Sequence, residues 1–230
     1  MKIGILQCGH TPDEIRACFG DFSTLFENML EGHGFAFQTW NVVDMQFPGT
    51  VDHADGWLLT GSAHGAYENH PFIPPLETLI RDIYADGRPM VGICFGHQII
   101  AQALGGRVEK FSGGWAIGRH LYEFDGLGSV AANAWHQDQV VDLPAGARVI
   151  GSSAHCANAA LVYDNRILTV QPHPELTNPV IADYIKARRG TGTYPDALMD
   201  RAEAEVQTPN DAAILADQLA AFLKRDQRPQ

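Results

Sequence analysis

Cys94 sits in Met90-Val91-Gly92-Ile93-Cys94-Phe95-Gly96-His97-Gln98, where an apolar run leads into Gly-x-Cys-x-Gly and a second apolar run, Ile99 to Leu104, follows. This is the layout of a nucleophile elbow, with a buried strand, a sharp turn carrying the reactive atom, and a helix. Glycines two residues to either side keep the turn clear of the neighbouring strand and helix. A cysteine at that tip lies at a helix N-terminus, where the dipole and free N–H groups favour the thiolate. A thiol nucleophile needs a base within hydrogen-bond reach, and the base works best when a third group orients it. Val170-Gln171-Pro172-His173-Pro174-Glu175 supplies both partners. In an extended segment, residues two apart point the same way, so the carboxylate of Glu175 can orient the imidazole of His173.

Simpler readings exist for each part. A cysteine in an apolar strand is usually a small buried hydrophobe, and a His-x-Glu is usually a surface pair. The flanking glycines and the preceding strand favour the nucleophile at Cys94. A metal role for His173 and Glu175 is the weaker alternative. No H-E-x-x-H or C-x-x-C accompanies them, so no metal and no cofactor is expected.

Three loops add candidate site residues. Thr60-Gly61-Ser62-Ala63-His64-Gly65 follows an apolar strand, and its backbone N–H groups, with that of Phe95, can hold the oxygen of a tetrahedral intermediate. Alone, the turn would read as a plain strand-to-helix connection. Phosphate binding is disfavoured because no Gly-Lys-Ser/Thr ending is present. Ala134-Trp135-His136-Gln137-Asp138 is polar where packing alone would prefer apolar residues, which makes His136 and Asp138 candidates for the substrate pocket. A satisfied structural loop is the even-odds alternative. Ser112-Gly113-Gly114-Trp115 is either a loop over the site or a simple turn.

The elements that position these residues alternate. Lys2–Leu6, Phe35–Val43, Asp55–Leu59 and Pro89–Cys94 read as strands. Asp13 to about Glu31, with apolar residues at helical spacing, reads as one helix. Pro71–Ala85 and Gly96–Leu104 read as two more. Such alternation predicts a central, mostly parallel α/β sheet flanked by helices. Functional loops then gather at the carboxyl ends of the strands, bringing Cys8, Thr60–Gly65 and Cys94 to one edge. From Arg107 to Val170 short strand candidates crowd together, which predicts an antiparallel extension. Helices are expected over Val180–Arg188, Pro195–Val206 and Asp211–Lys224. No linker or repeat interrupts the pattern. The expectation is one domain over 1–230, with a catalytic core over about 1–188, C-terminal helices over about 194–225, and fraying in the last ~10 residues.

The composition fits this. The chain has 230 residues, 45% hydrophobic and 19% charged, enough apolar content for a sizeable core. The net charge of −11 and the absence of a Lys/Arg-rich run argue against nucleic-acid binding. No apolar run reaches membrane-spanning length. The N-terminus lacks a signal-peptide core, and the four cysteines (Cys8, Cys18, Cys94, Cys156) form no C-x-x-C pair. A reduced, cytoplasmic setting is expected, with Cys8 a bystander at a strand end.

Gly92-Ile-Cys-Phe-Gly-His-Gln98 and Gln171-Pro-His-Pro-Glu175, in this order and about 80 residues apart, resemble the class I, or triad, glutamine amidotransferases. The likeness is nearest to stand-alone members similar to the glutaminase domain of GMP synthase, and it runs from the first strand to about residue 188. It implies a flavodoxin-like sheet and cleavage of a side-chain amide, of glutamine or of another γ-glutamyl compound. It implies Cys94 as nucleophile, His173 as acid and base, and Glu175 as orienter. It further implies oxyanion donors at Ser62 and Phe95, with Gly61 shaping the turn, and places Gln98, Gly114 and Trp115 near the amino-acid end of the substrate. Synthetase-linked members usually carry Ser-Gly-Gly-Pro at the oxyanion turn, where this chain has Thr60-Gly61-Ser62-Ala63, so its pocket is expected to differ. Only 55 residues (230 − 175) follow Glu175, too few for an ATP-using domain. Any acceptor enzyme or synthetase subunit is expected as a separate chain. An ammonia-donating subunit and a non-catalytic regulatory protein are the rival readings.

Overall fold

A computed structural model describes residues 1–225. Five strands form the parallel part of the main sheet. They are β1 (Lys2–Leu6), β2 (Ala36–Trp40), β3 (Gly56–Leu59), β4 (Met90–Ile93) and β11 (Ile167–Val170), in the order β2-β1-β3-β4-β11. The sheet continues with β10 (Ala160–Tyr163), β9 (Ala147–Ser152), β6 (Ala116–Phe124) and β7 (Gly128–His136), all antiparallel. A separate antiparallel pair joins β5 (Arg107–Lys110) to β8 (Asp138–Asp142).

β3 and β4 are buried at every position, as expected of parallel strands covered on both faces. Side chains alternate between two packed layers. Ile3, Ile5, Leu58, Val91 and Ile93 face the side covered by α1 (Asp13–Phe19), α2 (Phe22–Met29), α5 (Asn178–Arg188) and α7 (Ala212–Leu223). Leu6, Trp57, Leu59 and Met90 face α3 (Ile73–Asp86) and α4 (Phe95–Ala103). The remaining helix, α6 (Asp196–Glu205), buries Met199 and Ala202 against Ile117 of β6.

The expected parallel core and antiparallel extension are both present. Two local expectations are corrected. The segment after Asp13 is two helices, not one: the chain breaks at Gly20 (φ 85, ψ −176), and Asp21 restarts it by accepting a hydrogen bond from the Phe22 N–H. Asp21 also accepts from the Thr11 amide at 2.8 Å, which ties the break to the loop after β1. β8 is not among the expected strands, because its Asp-Gln-Val-Val-Asp sequence is short and polar at both ends. α7 runs to Leu223, so part of the expected frayed tail is helical, and residues 226–230 lie outside the described residues. Among the described residues no helix is long and apolar enough to cross a membrane.

Candidate active site

The strand order sets the site. β4 lies between β3 and β11, and adjacent strands are about 4.8 Å apart. The loops leaving their carboxyl ends therefore place Cys94 between the Gly61-Ser62 turn and His173. Thr60 joins the neighbouring β1 to this edge. Its amide donates to the Leu6 carbonyl at 3.2 Å, and its hydroxyl accepts from the Cys8 amide at 2.9 Å.

Cys94 is buried and adopts φ 51, ψ −103. Positive φ in a residue with a Cβ costs on the order of 1–3 kcal/mol and persists only where its surroundings enforce it. Here the Cys94 amide donates to Val170 of β11 at 2.9 Å, and the Gly96 amide donates to Thr60 at 3.1 Å. The two flanking glycines are sterically required. A Cβ on Gly92 would lie 2.6 Å from the Gly96 carbonyl oxygen, and one on Gly96 would lie 2.4 Å from that of Leu59. The Phe95 amide, at the first position of α4, has no intrahelical acceptor.

His173 and Glu175 are both buried, and His173 Nδ1–H donates to Glu175 Oε1 at 2.5 Å. This fixes the tautomer and leaves the buried Nε2 without a settled acceptor. The turn that carries them is clamped by Asn133 of β7. The His173 amide donates to the Asn133 carbonyl at 2.8 Å, and Asn133 Nδ2 donates to Leu176 at 2.7 Å. Burial alone would lower the pKa of His173. The negative charge of Glu175, the nearby Cys94 sulfur and the Glu175 hydrogen bond overcome it and hold the pKa well above the ordinary imidazole value. The arrangement favours an imidazolium at His173 beside the Cys94 sulfur. Gly61 passes so close that a Cβ there would lie 3.1 Å from His173 Cε1.

A cavity of about 180 Å³ opens over Cys94 and is lined by Ser62, Gln98, Trp115, His136 and Asp138 among others. Gln98, expected as a substrate contact, donates to the Asp138 carbonyl at 2.8 Å and to Gln171 Oε1 at 3.1 Å. Those bonds tie α4 to the start of β8 and to the segment that follows β11. Burial raises the Asp138 carboxyl pKa, and the Tyr67 hydroxyl donates to it at 3.2 Å. Burial, with the nearby His173, holds His136 well below its ordinary pKa, so it is a neutral ring. Gly114 stands behind this wall, where its carbonyl accepts from His155 Nε2 at 3.1 Å. Cys8 is packed away, and burial pushes its thiol up to about 12. His97 of the elbow motif bonds Thr169 of β11 at 2.8 Å. Burial brings its pKa down to about 3, so it ties α4 to the sheet as a neutral ring.

Sequence reasoning missed two features. Tyr194, from the loop before α6, stacks edge-on against Trp115 (4.7 Å) and Trp135 (5.1 Å) and roofs the cavity. A second hollow of about 50 Å³ shares Ser62, Ala63, Trp135 and Tyr194 with the first, and His173, His10 and Arg188 line it. Arg188 Nε is itself buried and has no hydrogen-bond partner. Neither Tyr194 nor Arg188 lies in a motif, and only the chain path brings them in. A larger cavity of about 460 Å³ lies behind Glu175, among Phe19, Leu25, Met29 and Val180, and Cys94 does not line it.

Comparisons with known proteins show the family and the fold. A glutamine amidotransferase-like protein of Schizosaccharomyces pombe is 28% identical over 96% of this chain and 98% of its own length. Gamma-glutamyl peptidase 4 of Arabidopsis thaliana is 30% identical over 76% of both chains. Curated relatives named GMP synthase also match, over 28% to 34% of their own length. A glutamine amidotransferase structure from Methylobacillus flagellatus superposes with a TM-score of 0.77 at 22% identity, covering 100% of this chain and 96% of the other, which shows the fold. The model of the glutamine amidotransferase class-I family matches residues 27–185. That span includes the elbow, the Ser62 turn and the His173-x-Glu175 pair, and the chain belongs to this family.

Proposed function

We propose that the protein hydrolyses γ-glutamyl amide bonds through a thioester on Cys94, with γ-glutamyl peptides as its preferred substrates. The observation that carries the choice of substrate is Arg188. Ammonia, the leaving group from glutamine, has nothing for a guanidinium to bind. An amino acid or peptide leaving through the His173 side carries a carboxylate, which the buried, acceptor-free Arg188 Nε–H fits. Similarity to gamma-glutamyl peptidases over most of both chains supports the same reading.

The steps follow from the placement of groups. The Cys94 thiolate adds to the γ-carbonyl carbon, and the oxyanion is held by the Ser62 and Phe95 amides. His173 gives its Nε2 proton to the amide nitrogen as the C–N bond breaks, leaving the γ-glutamyl thioester and a free amine. Water enters the vacated hollow and loses a proton to His173. It attacks the thioester carbonyl, and release of glutamate restores the thiolate–imidazolium pair. Glu175 keeps the ring oriented throughout. Gln98, Trp115, His136 and Asp138 line the end of the pocket proposed to take the glutamyl α-carbon groups, whereas Gly114, expected there from the resemblance, does not line it.

Turnover on glutamine and on γ-glutamyl dipeptides, with intact-mass trapping of the acyl-enzyme, tests the reading. The dipeptide is expected to give the higher kcat/KM and a thioester mass on Cys94. A thioester from glutamine alone would assign a glutaminase instead, and no thioester from either would overturn both.

A further inference from the structure

His64, Glu68 and His70 lie outside the acyl-transfer machinery. Their side-chain ligand atoms nevertheless all fall within 4.8 Å of one another. The two rings pack at a tilt with centroids 4.0 Å apart. Glu68 Oε2 accepts from His70 Nε2 at 2.8 Å and from the Gly65 amide at 3.0 Å, so its carboxylate is already oriented. Phe72 backs both imidazoles, at 5.7 Å and 5.9 Å, and also packs on Phe95 at 6.1 Å. The sequence offers no H-E-x-x-H or C-x-x-C. This spaced His-x3-Glu-x-His set becomes a cluster because the chain turns through Gly65–Glu68, between β3 and α3, where the Glu68 amide donates to the Gly65 carbonyl at 3.0 Å. The His70 amide then donates to the Glu68 carbonyl at 3.1 Å.

We propose that His64, Glu68 and His70 bind a divalent transition metal of the Zn²⁺ class, and that the bound ion inhibits turnover. Two imidazoles and a carboxylate suit Zn²⁺, Cu²⁺ or Ni²⁺ over Mg²⁺ or Ca²⁺. Three protein ligands leave a coordination position open. His64 and Glu68 also line the cavity over Cys94, so an ion held between them occupies its wall. The His64 amide donates to Ser62 Oγ at 3.2 Å, so fixing His64 also fixes the turn that carries the Ser62 amide. The metal site does not depend on which γ-glutamyl compound is the substrate.

The test uses the full chain with Cys94→Ala, which removes the thiol as a competing ligand. Co²⁺ and Zn²⁺ are titrated by absorbance and calorimetry. One equivalent is expected to bind, with Co²⁺ d–d bands of nitrogen and oxygen ligation and no thiolate charge-transfer band. His70→Gln and, separately, Glu68→Gln in that background are expected to weaken binding by at least about tenfold. Both side chains are partly exposed, and circular dichroism checks that the variants fold. In the chain with Cys94 intact, Zn²⁺ is expected to suppress turnover. His70→Gln is expected to keep its turnover in chelator and to lose the Zn²⁺ sensitivity. No binding by the Cys94→Ala chain at about 1 mM metal, a far weaker range than such sites show, overturns the proposal. So does unchanged binding in both ligand variants, and inhibition that persists in His70→Gln overturns the regulatory part.

Discussion

Replacing Arg188 with Gln removes the charge that the proposed leaving group would meet and keeps a polar side chain there. Arg188 ends α5, and its Nε is buried without an acceptor at the edge of the hollow that His173 and Tyr184 also line. A hydrogen bond to a charged group contributes about 1.5–3 kcal/mol, which at about 1.4 kcal/mol per tenfold corresponds to roughly 10- to 150-fold in kcat/KM. The loss is expected for γ-glutamylglycine, whose leaving group carries a free carboxylate. γ-Glutamylglycinamide and glutamine lack that carboxylate, so for them the change is expected to stay under about threefold, the scale of an ordinary surface substitution. Steady-state kinetics on the three substrates reads the difference directly. Equal losses on all three would make Arg188 a structural residue and refute the assignment. No loss on any of them would place the leaving carboxylate elsewhere.

A glutamine-mimicking electrophile is expected to label Cys94 and to spare the buried Cys8 and Cys156, as peptide mapping would show, because burial pushes those two thiols up to about 12 and leaves almost no thiolate there. Label on either of those residues in a Cys94→Ala chain would contradict this. Glu175→Gln is expected to lower kcat/KM by about 10² or more and to change the pH dependence of stability. The raised pKa of His173 makes its protonated form stabilising. That contribution is full below the ordinary imidazole value of about 6.5 and disappears as pH rises through the folded-state pKa. Denaturant unfolding should therefore show the variant's deficit largest below about pH 6.5 and narrowing at alkaline pH; a deficit that grows with pH refutes the charge reading. Gly96→Ala forces a Cβ to 2.4 Å from the Leu59 oxygen and is expected to cost about 3 kcal/mol or more. Gly32→Ala, with φ +82 and nothing within 4 Å, is expected to cost about 1–2 kcal/mol. Thermal unfolding that ranks them the other way contradicts the steric account of the elbow.

The parallel strands and the elbow are legible in the sequence because their signals are local. Four-residue apolar runs such as Gly56–Leu59 and Met90–Ile93 have few other uses, and Gly-x-Cys-x-Gly carries its own steric logic. His173 and Glu175 can be paired from spacing alone because two residues of extended chain fix their relation. The break at Gly20 is hidden because the apolar spacing continues through it. Gly20 ends the first helix, and the Asp21 carboxylate, which also accepts from the Thr11 amide before α1, caps the start of the second. Arg188 and Tyr194 are illegible for a related reason. Their place in the site is set by how α5 and the following loop pack across the sheet, which no spacing along the chain encodes.

Tyr194 has a consequence for how such a protein can change its substrate. The family model ends at residue 185, and Arg188 and Tyr194 both lie beyond it. Two residues on the proposed leaving side thus follow the stretch that carries Cys94 and His173, while Ser62, Trp135 and Tyr184 of the same hollow lie within it. If Arg188 meets the leaving carboxylate as proposed, exchanging the stretch from about Arg188 to the start of α6 between relatives is expected to retune selectivity while leaving the nucleophile, its base and the strand order untouched. On the proposed assignment, the nucleophile and its base come with the sheet, and the preference for one leaving group over another is set in part by the segment that follows it.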